Sequence, residues 1–546
     1  MELRIPNPLL FVALACVSCS ALDHRPALRM EGCGDHHFEI TTDEPVAQEY
    51  FDQGLALAYG FNHGEALHSF QEAAYLDPDC AMAYWGQAYA LGPNMNSDVD
   101  EERAQKAATA VAQAMALRDG ATELESDLIE ALATRLARPV VGDREIVNGA
   151  YAGAMRALWV KYPENEDVGF LYADALVNET PWDLWTADFQ PNRNTLELIA
   201  VLDRVLELNP DHPGANHFYI HTWEPSGQAY RAEEAADRLG ELTPGLGHMV
   251  HMAGHVYIQV GRYADCVRVN DEGERLDREY FERAGPQGEY HFYQAHNTHF
   301  RVWAALYMGD YEEALKCCRL LLDDLPDHFE GLPSCAGWLV MDQEVYLRFG
   351  KWQEAIDVPR PREDQPIAQA LWHYARAVAY ANSERIHDAR HESEAFEEAV
   401  KTIPEGEDVE FYDDVVKVMQ IAREMMAGEI EYKAGNVAIG LDHLRAAVAA
   451  EDELEYSEPS PWLVPTRHSL GALLLEQGEV AEAEPLYRQD LKLHAGNIWS
   501  LQGLTECLER SGQTAEAAEV RAQLEKVREQ ATVDVQASCY CRTVQS

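Results

Sequence analysis

Apolar residues recur at spacings of three and four along almost the whole chain, from about residue 45 to residue 530. This period places them on one face of an α-helix, with glycines near the predicted helix ends and prolines between helices. The strict alternation of a half-buried strand is almost absent. No long run of Pro, Gly or Ser divides the 546 residues. The sequence therefore predicts one extended array of helices rather than domains joined by flexible linkers.

A histidine pattern returns after 34 positions in the middle of the chain. Adding 34 to His217 and His221 gives His251 and His255. A period of this length is typical of a solenoid whose repeat is a pair of helices. Equivalent helices of adjacent repeats would then present four imidazoles side by side.

Residues 50–79, YFDQGLALAYGFNHGEALHSFQEAAYLDPD, closely resemble a tetratricopeptide repeat. The small, small, aromatic, small and proline positions of that family are occupied by Gly54, Ala66, Phe70, Ala73 and Pro78. Small residues there let paired helices approach, and the proline begins the next repeat. Less regular copies extend the resemblance over most of the chain. It implies an all-α fold, a right-handed α-solenoid of tetratricopeptide-like helical hairpins whose first helices line a concave groove.

The resemblance also implies which side chains face that groove, namely those at positions 2, 5, 9, 12 and 13 of each repeat. The residues at such positions are His248 and His296 (position 2), His217, His251 and His299 (position 5), His221 and His255 (position 9), and Glu224 (position 12). The repeat period is interrupted at 92–125 and 177–195. Insertions in solenoids usually fall on one face and often shape a ligand site.

More narrowly, three histidine segments resemble those of a group of exported bacterial tetratricopeptide proteins of unknown activity. They are GANHFYIHTWE, GHMVHMAGHVYIQVGRY and HNTHF, with PWDLW upstream. The same segments are faintly similar to the tetratricopeptide repeat protein 38 group. Neither resemblance implies a reaction, so both bear on the fold and on the grouping of residues alone.

The first residues, MELRIPNPLLFVALACVSCSA, combine one Arg, a short apolar run and small residues ahead of Ala21. This order resembles a secretory signal peptide cleaved after Ala21, although a lipidated Cys16 or Cys19, or a weakly structured tail, are alternatives. We expect an exported protein, periplasmic or extracellular. The predicted divisions are 1–21 signal peptide, 22–44 N-terminal extension, 45–350 superhelix with a histidine-rich groove, 351–530 C-terminal repeats and 531–546 cysteine-containing tail.

The chain carries 43 Lys and Arg against 94 Asp and Glu, a formal net charge of -51. This excess of acid argues against nucleic acid or an anionic lipid surface as a partner and favours cations and basic ligands. A saline environment would select the same composition for solubility alone. Beyond the leader no run approaches the ~18 apolar residues of a membrane helix, so the mature chain is expected to lack an integral span.

The grouped histidines predict a metal site. Neutral imidazole is the commonest protein ligand for transition metals, and two histidines at i and i+4 can hold one ion from a single helix. The expected ligands are His217, His221, His251 and His255 within reach of one metal, with His248, His296 and His299 completing or orienting the shell. A divalent Zn or Cu ion is the expected cofactor. Glu224 is the candidate catalytic residue, as ligand or general base.

Two functions follow from this sequence. The first is an exported metal-dependent enzyme acting on a small molecule or peptide bound in the concave groove. The second is a non-catalytic scaffold that binds a protein partner, in which the histidines form structural hydrogen bonds between repeats. A peptide-clamping groove typically presents Lys, Arg and Asn, whereas this groove is expected to present His, which favours the first function.

Other residues give weaker signals. His63 and His68 are expected on the surface, outside the groove. Three tryptophans, Trp182, Trp185 and Trp223, are interpreted either as the wall of a substrate pocket or as packing, with packing preferred. In the terminal SCYCR, Cys539 and Cys541 are interpreted either as a metal or redox pair or, by preference, as part of a disordered or simply disulfide-bonded terminus.

Overall fold

The computed structural model describes residues 26–139, 144–186, 188–285, 290–324, 335–404, 406, 408–409 and 413–542. Within these ranges the chain forms 25 α-helices. The predicted signal peptide lies outside the described residues. None of the described helices is both long enough and apolar enough to cross a membrane.

The helices occupy three successive stretches of the chain. The N-terminal third contains α1 Pro45–Tyr59, α2 His63–Leu76, α3 Ala81–Leu91, α4 Glu101–Leu117, α5 Glu123–Leu136, α6 Glu145–Lys161, α7 Glu166–Val177 and α8 Thr195–Leu208. The central part contains α9 Pro213–Trp223, α10 Glu233–Leu242, α11 Gly247–His251, α12 Ala253–Val260, α13 Tyr263–Ala284, α14 His291–Met308, α15 Tyr311–Asp324, α16 Met341–Arg348 and α17 Trp352–Asp357. The C-terminal part contains α18 Pro366–Asn382, α19 Ile386–Val400, α20 Val415–Lys433, α21 Val437–Glu451, α22 Thr466–Gln477, α23 Val480–Leu493, α24 Ile498–Arg510 and α25 Thr514–Arg528.

Short 3-10 segments and one minimal strand pair complete the described structure. The 3-10 segments are Arg118–Gly120, Glu224–Ser226, Ala229–Ala232 and Trp338–Val340. The two-residue strands β1 Asp408–Val409 and β2 Asp413–Asp414 pair antiparallel between α19 and α20.

Successive helices pack as hairpins, among them α1 with α2, α18 with α19 and α20 with α21. Each hairpin also contacts the next, as α2 does α3 and α23 does α24. The apolar stripes that the sequence pattern predicted are therefore buried between neighbouring hairpins. This arrangement confirms the predicted all-α solenoid of tetratricopeptide-like helical hairpins.

An aromatic side chain wedged between glycines explains why the repeat pattern requires small residues. Phe70 of α2 is fully buried, and a Cβ atom added to Gly54 would lie 2.6 Å from its ring. Gly86 of the next hairpin faces the same ring just as closely. Near the C-terminus, Tyr487 lies in the same way against Gly471 and Gly503. A larger residue at any of these glycines would force adjacent helices apart.

Local signals fix the helices that carry the histidines. His212 caps α9, its Nδ1 accepting a hydrogen bond from the backbone N–H of Ala215 at 3.1 Å, and Pro213 occupies the first helical position. Helices α12 and α14 end at Gly261 and Gly309, with φ of 81° and 78°. These values lie in the left-handed region that glycine adopts most readily. The α9 and α11–α12 segments thus hold the histidines related by 34 residues.

The C-terminal repeats return to pack against the central ones. The indole N–H of Trp499 donates to the backbone oxygen of Leu306 at 2.7 Å, and the Tyr263 hydroxyl donates to that of Ala495 at 2.7 Å. The segment between α21 and α22 brings Glu458 against α12. Cys539 and Cys541 form a disulfide, as the simpler interpretation of SCYCR predicted.

Candidate functional site

Six histidines from α9, α11, α12 and α14 meet in the interior of the solenoid. They form two sets, and the ligand nitrogens within each set lie within 4.8 Å of one another. The first histidine set is His217, His221 and His248, and the second histidine set is His251, His255 and His296. Five of the six side chains are buried and His296 is partly buried. The prediction grouped His217, His221, His251 and His255, whereas the structure joins each helical pair to a third imidazole.

The first histidine set presents ring nitrogens that lack hydrogen-bond partners among the described residues. Nδ1 of His217 lies 2.5 Å from the backbone oxygen of Tyr59, which can only accept, so Nδ1 carries the proton. Nδ1 of His221 lies 2.6 Å from a carboxylate oxygen of Glu224 and is protonated for the same reason. Their Nε2 atoms therefore each carry an unshared lone pair. Both atoms are buried and have no hydrogen-bond partner in the described structure. Neither ring nitrogen of His248 has a partner there.

The second histidine set has the same tautomers. Asn270 donates through its amide nitrogen to the Cys266 backbone oxygen at 2.8 Å, so its amide oxygen faces Nδ1 of His251 at 2.5 Å. Nδ1 of His255 lies 2.8 Å from a carboxylate oxygen of Glu458. Both Nδ1 atoms therefore donate, and the two Nε2 atoms face each other at 2.7 Å. Two lone pairs at this distance repel unless a proton or another cation lies with them.

Glu224 lies between the two sets and contacts both. One carboxylate oxygen is 2.6 Å from Nδ1 of His221 and the other is 2.6 Å from Nδ1 of His255. A carboxylate on the far nitrogen of a histidine fixes the orientation and basicity of a ligating imidazole. Glu224 can act in this way on His221 of the first set, and its other oxygen places negative charge beside His255 of the second set. The prediction that Glu224 is the catalytic group stays a prediction.

The pKa values of these groups follow from burial and from their mutual charges. Burial, followed by the neighbouring imidazoles, lowers the pKa of His217, His248, His251 and His296 well below the usual histidine value. These rings are neutral at pH 7 and keep their lone pairs.

His255 and its two carboxylates behave differently. Burial lowers the pKa of His255, but Glu458 and Glu224 outweigh it and raise that pKa to about 10. Burial also opposes ionisation of Glu224, yet the adjacent His255 and His221 hold its pKa well below the ordinary value. Burial and the charge of Glu224 raise the pKa of Glu458 to about 7. In metal-free protein His255 is therefore protonated on both ring nitrogens, with Nε2 facing His251 and Nδ1 facing the carboxylates.

His299 belongs to neither set. Its Nδ1 accepts a hydrogen bond from the indole N–H of Trp338 at 3.0 Å, and burial lowers its pKa to about 3. The Trp338 ring lies 5.6 Å from the imidazole of His299 and 5.1 Å from the ring of Phe292. His299 is therefore buried next to the two sets, and its predicted part in completing or orienting a metal shell stays a prediction.

A cavity of about 830 Å³ opens onto both histidine sets. It reaches His221 and His248 of the first set and His255 and His296 of the second, together with Glu458. The aromatic and apolar part of its wall is formed by Phe61, Leu67, Leu91, Trp182, Phe292, Tyr293 and Trp338. A volume of this size is typical of small-molecule sites, in which apolar walls surround a few polar groups.

The predicted interruptions of the repeat supply part of the wall. Asn94, Asn96 and Asp98 come from the interruption at 92–125, and Trp182 comes from the one at 177–195. The indole N–H of Trp182 donates to the side-chain oxygen of Asn96 at 3.1 Å, which joins the two loops. The Trp182 ring meets that of His221 edge-on at 5.4 Å.

The three tryptophans have two different roles. Trp185 lies 5.7 Å from Trp223 and donates its indole N–H to the Thr222 backbone oxygen at 2.7 Å. These two residues pack, as preferred, whereas Trp182 lines the cavity.

Two features of the site were not predicted from the sequence. The expectation that His63 lies on the surface is wrong, because His63 lines the cavity and burial lowers its pKa to about 3. It begins α2, on a first turn where Gly64 is exposed but Glu65 and Ala66 are buried. Glu458 was missed altogether. It lies 203 positions from its partner His255, and no periodicity links a residue in a loop to a distant helix.

The arrangement can bind a transition metal through neutral imidazole nitrogens. Each of the two sets offers three such nitrogens, the number of protein ligands in an open zinc site. Glu458, on the cavity wall and accepting a hydrogen bond from the Tyr456 hydroxyl at 2.9 Å, could exchange a proton with a molecule bound there.

Another buried cluster lies outside this cavity. His36 and His212 both approach one carboxylate oxygen of Asp167, at 2.9 and 3.5 Å. His212 also caps α9. This contact joins the N-terminal extension to α7 and α9 and is accounted for by packing.

No known family profile and no curated protein matches the sequence. Among solved structures, the human IFIT1 dimer with m7Gppp-AAAA is similar over 89% of this chain and 91% of that chain, at 15% identity and a TM-score of 0.32. Yeast Tom70 is similar over 88% and 90%, at 10% identity and a TM-score of 0.31. The APC/C hetero-tetramer Cut9-Hcn1 is similar over 90% and 78%, at 10% identity and a TM-score of 0.31. Because these scores are low, the assignment of a tetratricopeptide-like solenoid rests on the hairpins and their glycine and aromatic contacts.

Proposed function

We propose that this protein is an exported metalloprotein, a metal-dependent enzyme that acts on a small molecule or peptide bound in the cavity. Zn or Cu is the expected metal, since an all-nitrogen donor set suits both. Export follows from the leader-like first residues, and it agrees with the narrower resemblance to exported bacterial tetratricopeptide proteins. The acidic chain, with a formal charge of -51, would attract cations to the site.

One observation carries the proposal. In the first histidine set the Nε2 atoms of His217 and His221, and both ring nitrogens of His248, are buried without partners in the described part of the chain. A buried polar atom without a hydrogen bond costs roughly 1–3 kcal/mol. Protons cannot remedy this, because several adjacent imidazolium ions would repel one another. A metal ion would accept one lone pair from each of the three rings at once.

Metal analysis of protein purified without an affinity tag tests the proposal. We expect at least one Zn or Cu per chain, lost when His217 and His221 are changed together to Asn. The matched control is the double change of His387 and His391 to Asn, since these histidines also stand at i and i+4 on a helix, α19, but are exposed. Wild-type protein that binds neither metal, or a control that loses metal equally, would contradict the proposal.

The alternative is a non-catalytic scaffold that binds a protein partner. The solenoid of hairpins favours it, because such arrays commonly bind peptides along an inner surface. Under this alternative the histidines would serve packing, and the double His217 and His221 variant would lose stability without any change in metal content. The same preparations therefore decide between the two functions.

A further inference from the structure

We propose that the site holds two metal ions side by side, one in each histidine set, and that the cavity presents an aromatic organic molecule to both. This inference rests on the proposed function and deepens it. The sequence grouped the histidines around one ion, but six imidazoles in two separate sets of three exceed the four ligands that a zinc ion usually takes. Two three-nitrogen sets match two ions, each with a position left for another ligand.

The tautomers of the histidines are the same in both sets, which supports two similar metal sites. In each set, two histidines donate through Nδ1 to an acceptor outside the set and turn Nε2 inward. The acceptors are the Tyr59 backbone oxygen and Glu224 in the first set, and Asn270 and Glu458 in the second. Such outer hydrogen bonds are the usual support of metal-bound histidines. Their presence in both sets argues that each was built to ligate.

The two sets are adjacent. Imidazole centres of different sets lie 5.6 Å apart for His221 and His255 and 5.6 Å apart for His248 and His251. Glu224 bridges the first of these pairs through its two oxygens. Ions bound to adjacent sets would therefore be close enough to share a ligand.

Charge supports the same conclusion. An imidazole that ligates a metal is uncharged, so two cations in this interior need negative groups nearby. Glu224 and Glu458 supply two carboxylates in contact with imidazoles of the sets. One carboxylate would be sufficient to orient a single set.

The cavity indicates the class of ligand. It touches two histidines of each set, so a molecule bound in it can reach both ions. Its wall presents the rings of Phe61, Trp182, Tyr293 and Trp338, whose faces and edges favour a flat apolar body. A phenol-like compound, with an aromatic ring and one oxygen that can contact a metal, fits this combination.

Copper titration with electron paramagnetic resonance tests the inference. Metal-free wild-type protein, with its full chain, is loaded with Cu²⁺, and both bound copper and unpaired spins are counted. We expect two copper ions per chain and fewer spins than copper ions, because adjacent Cu²⁺ ions couple magnetically. The variants His248→Phe and His296→Phe should each bind one copper with its full spin signal. The paired His387→Phe and His391→Phe control should match wild type.

The outcomes separate the two proposals. One copper per chain in wild type, with an uncoupled signal, overturns the two-ion inference and leaves the metal-dependent function standing. No bound copper and no bound zinc overturn both. Should His248→Phe fail to fold by circular dichroism, His248→Gln replaces it, and the wild-type stoichiometry remains decisive. For the ligand, 4-methylphenol should perturb the copper spectrum and cyclohexanol should not, and equal effects of the two overturn the aromatic class.

Discussion

Replacing His248 by Phe should stabilise the metal-free protein. Neither ring nitrogen of His248 has a hydrogen-bond partner in the described structure, and the side chain is only 2% exposed. Leaving such a polar group unsatisfied costs roughly 1–3 kcal/mol, and the phenyl ring removes that cost. Its surroundings are already aromatic, with ring centres of Tyr293 at 4.5 Å and of Phe61 at 5.3 Å.

The extra volume of the phenyl ring opposes this gain in stability. Overpacking of a closed core costs typically ~1–3 kcal/mol, but His248 borders the cavity of about 830 Å³ and the ring can extend into it. We therefore expect a net gain in the free energy of unfolding of about 1–2 kcal/mol, most of the desolvation cost. A histidine that served packing would give a loss instead.

With metal bound, we expect the wild type to become more stable than His248→Phe. An ion present at 100 times its dissociation constant stabilises the wild type by about 2.7 kcal/mol. His248→Phe lacks one ligand of the first set and should gain less. Urea unfolding followed by circular dichroism, once with a chelator and once with Zn²⁺, measures both states. Equal or lower stability of the variant in the chelator would refute the reasoning.

Three further predictions concern Glu224, Asp277 and the N-terminus of the mature chain. Glu224→Gln should weaken metal binding ~10–100-fold, because the amide accepts more weakly than the carboxylate from Nδ1 of His221 and removes the negative charge beside His255. Competition with a chromophoric chelator measures the change, and unchanged affinity would contradict the role. Burial raises the pKa of Asp277 to about 8, so the folded state holds a proton that the unfolded state has lost above pH ~4. Asp277 therefore makes stability fall as pH rises from about 4 to 8, and urea unfolding across that range should show a smaller fall for Asp277→Asn than for wild type. N-terminal sequencing of protein from the native host should begin at Leu22 or at a lipidated cysteine, and an intact leader would contradict export.

Periodicity was enough to predict the fold. The helical spacing and the small residues at Gly54 and Ala66 describe contacts within one hairpin and with the next, which are local in sequence. The 34-residue shift likewise identified His217 and His251 as equivalent positions on successive first helices, because stacked repeats preserve such positions. These inferences needed only the geometry of a regular array.

The details of the site depend on contacts that no repeat encodes. Glu458 reaches His255 because the C-terminal repeats return to the central ones, and this contact joins residues 203 positions apart. Division of the histidines into two sets depends on ring orientation, which the acceptors Tyr59 and Asn270 determine from other helices. His63 was misassigned for the same reason, since inward rotation of a residue at a helix start follows from its neighbours in space.

Above all, we propose that the buried histidines bind metal through Nε2. Diffraction from crystals grown with Zn²⁺, recorded on both sides of the zinc absorption edge, tests this claim directly. We predict anomalous density about 2.0–2.1 Å from the Nε2 atoms of His217 and His221, with a second peak at His251 and His255. Density confined to exposed histidines such as His387 and His391, with the buried rings unliganded, would contradict it.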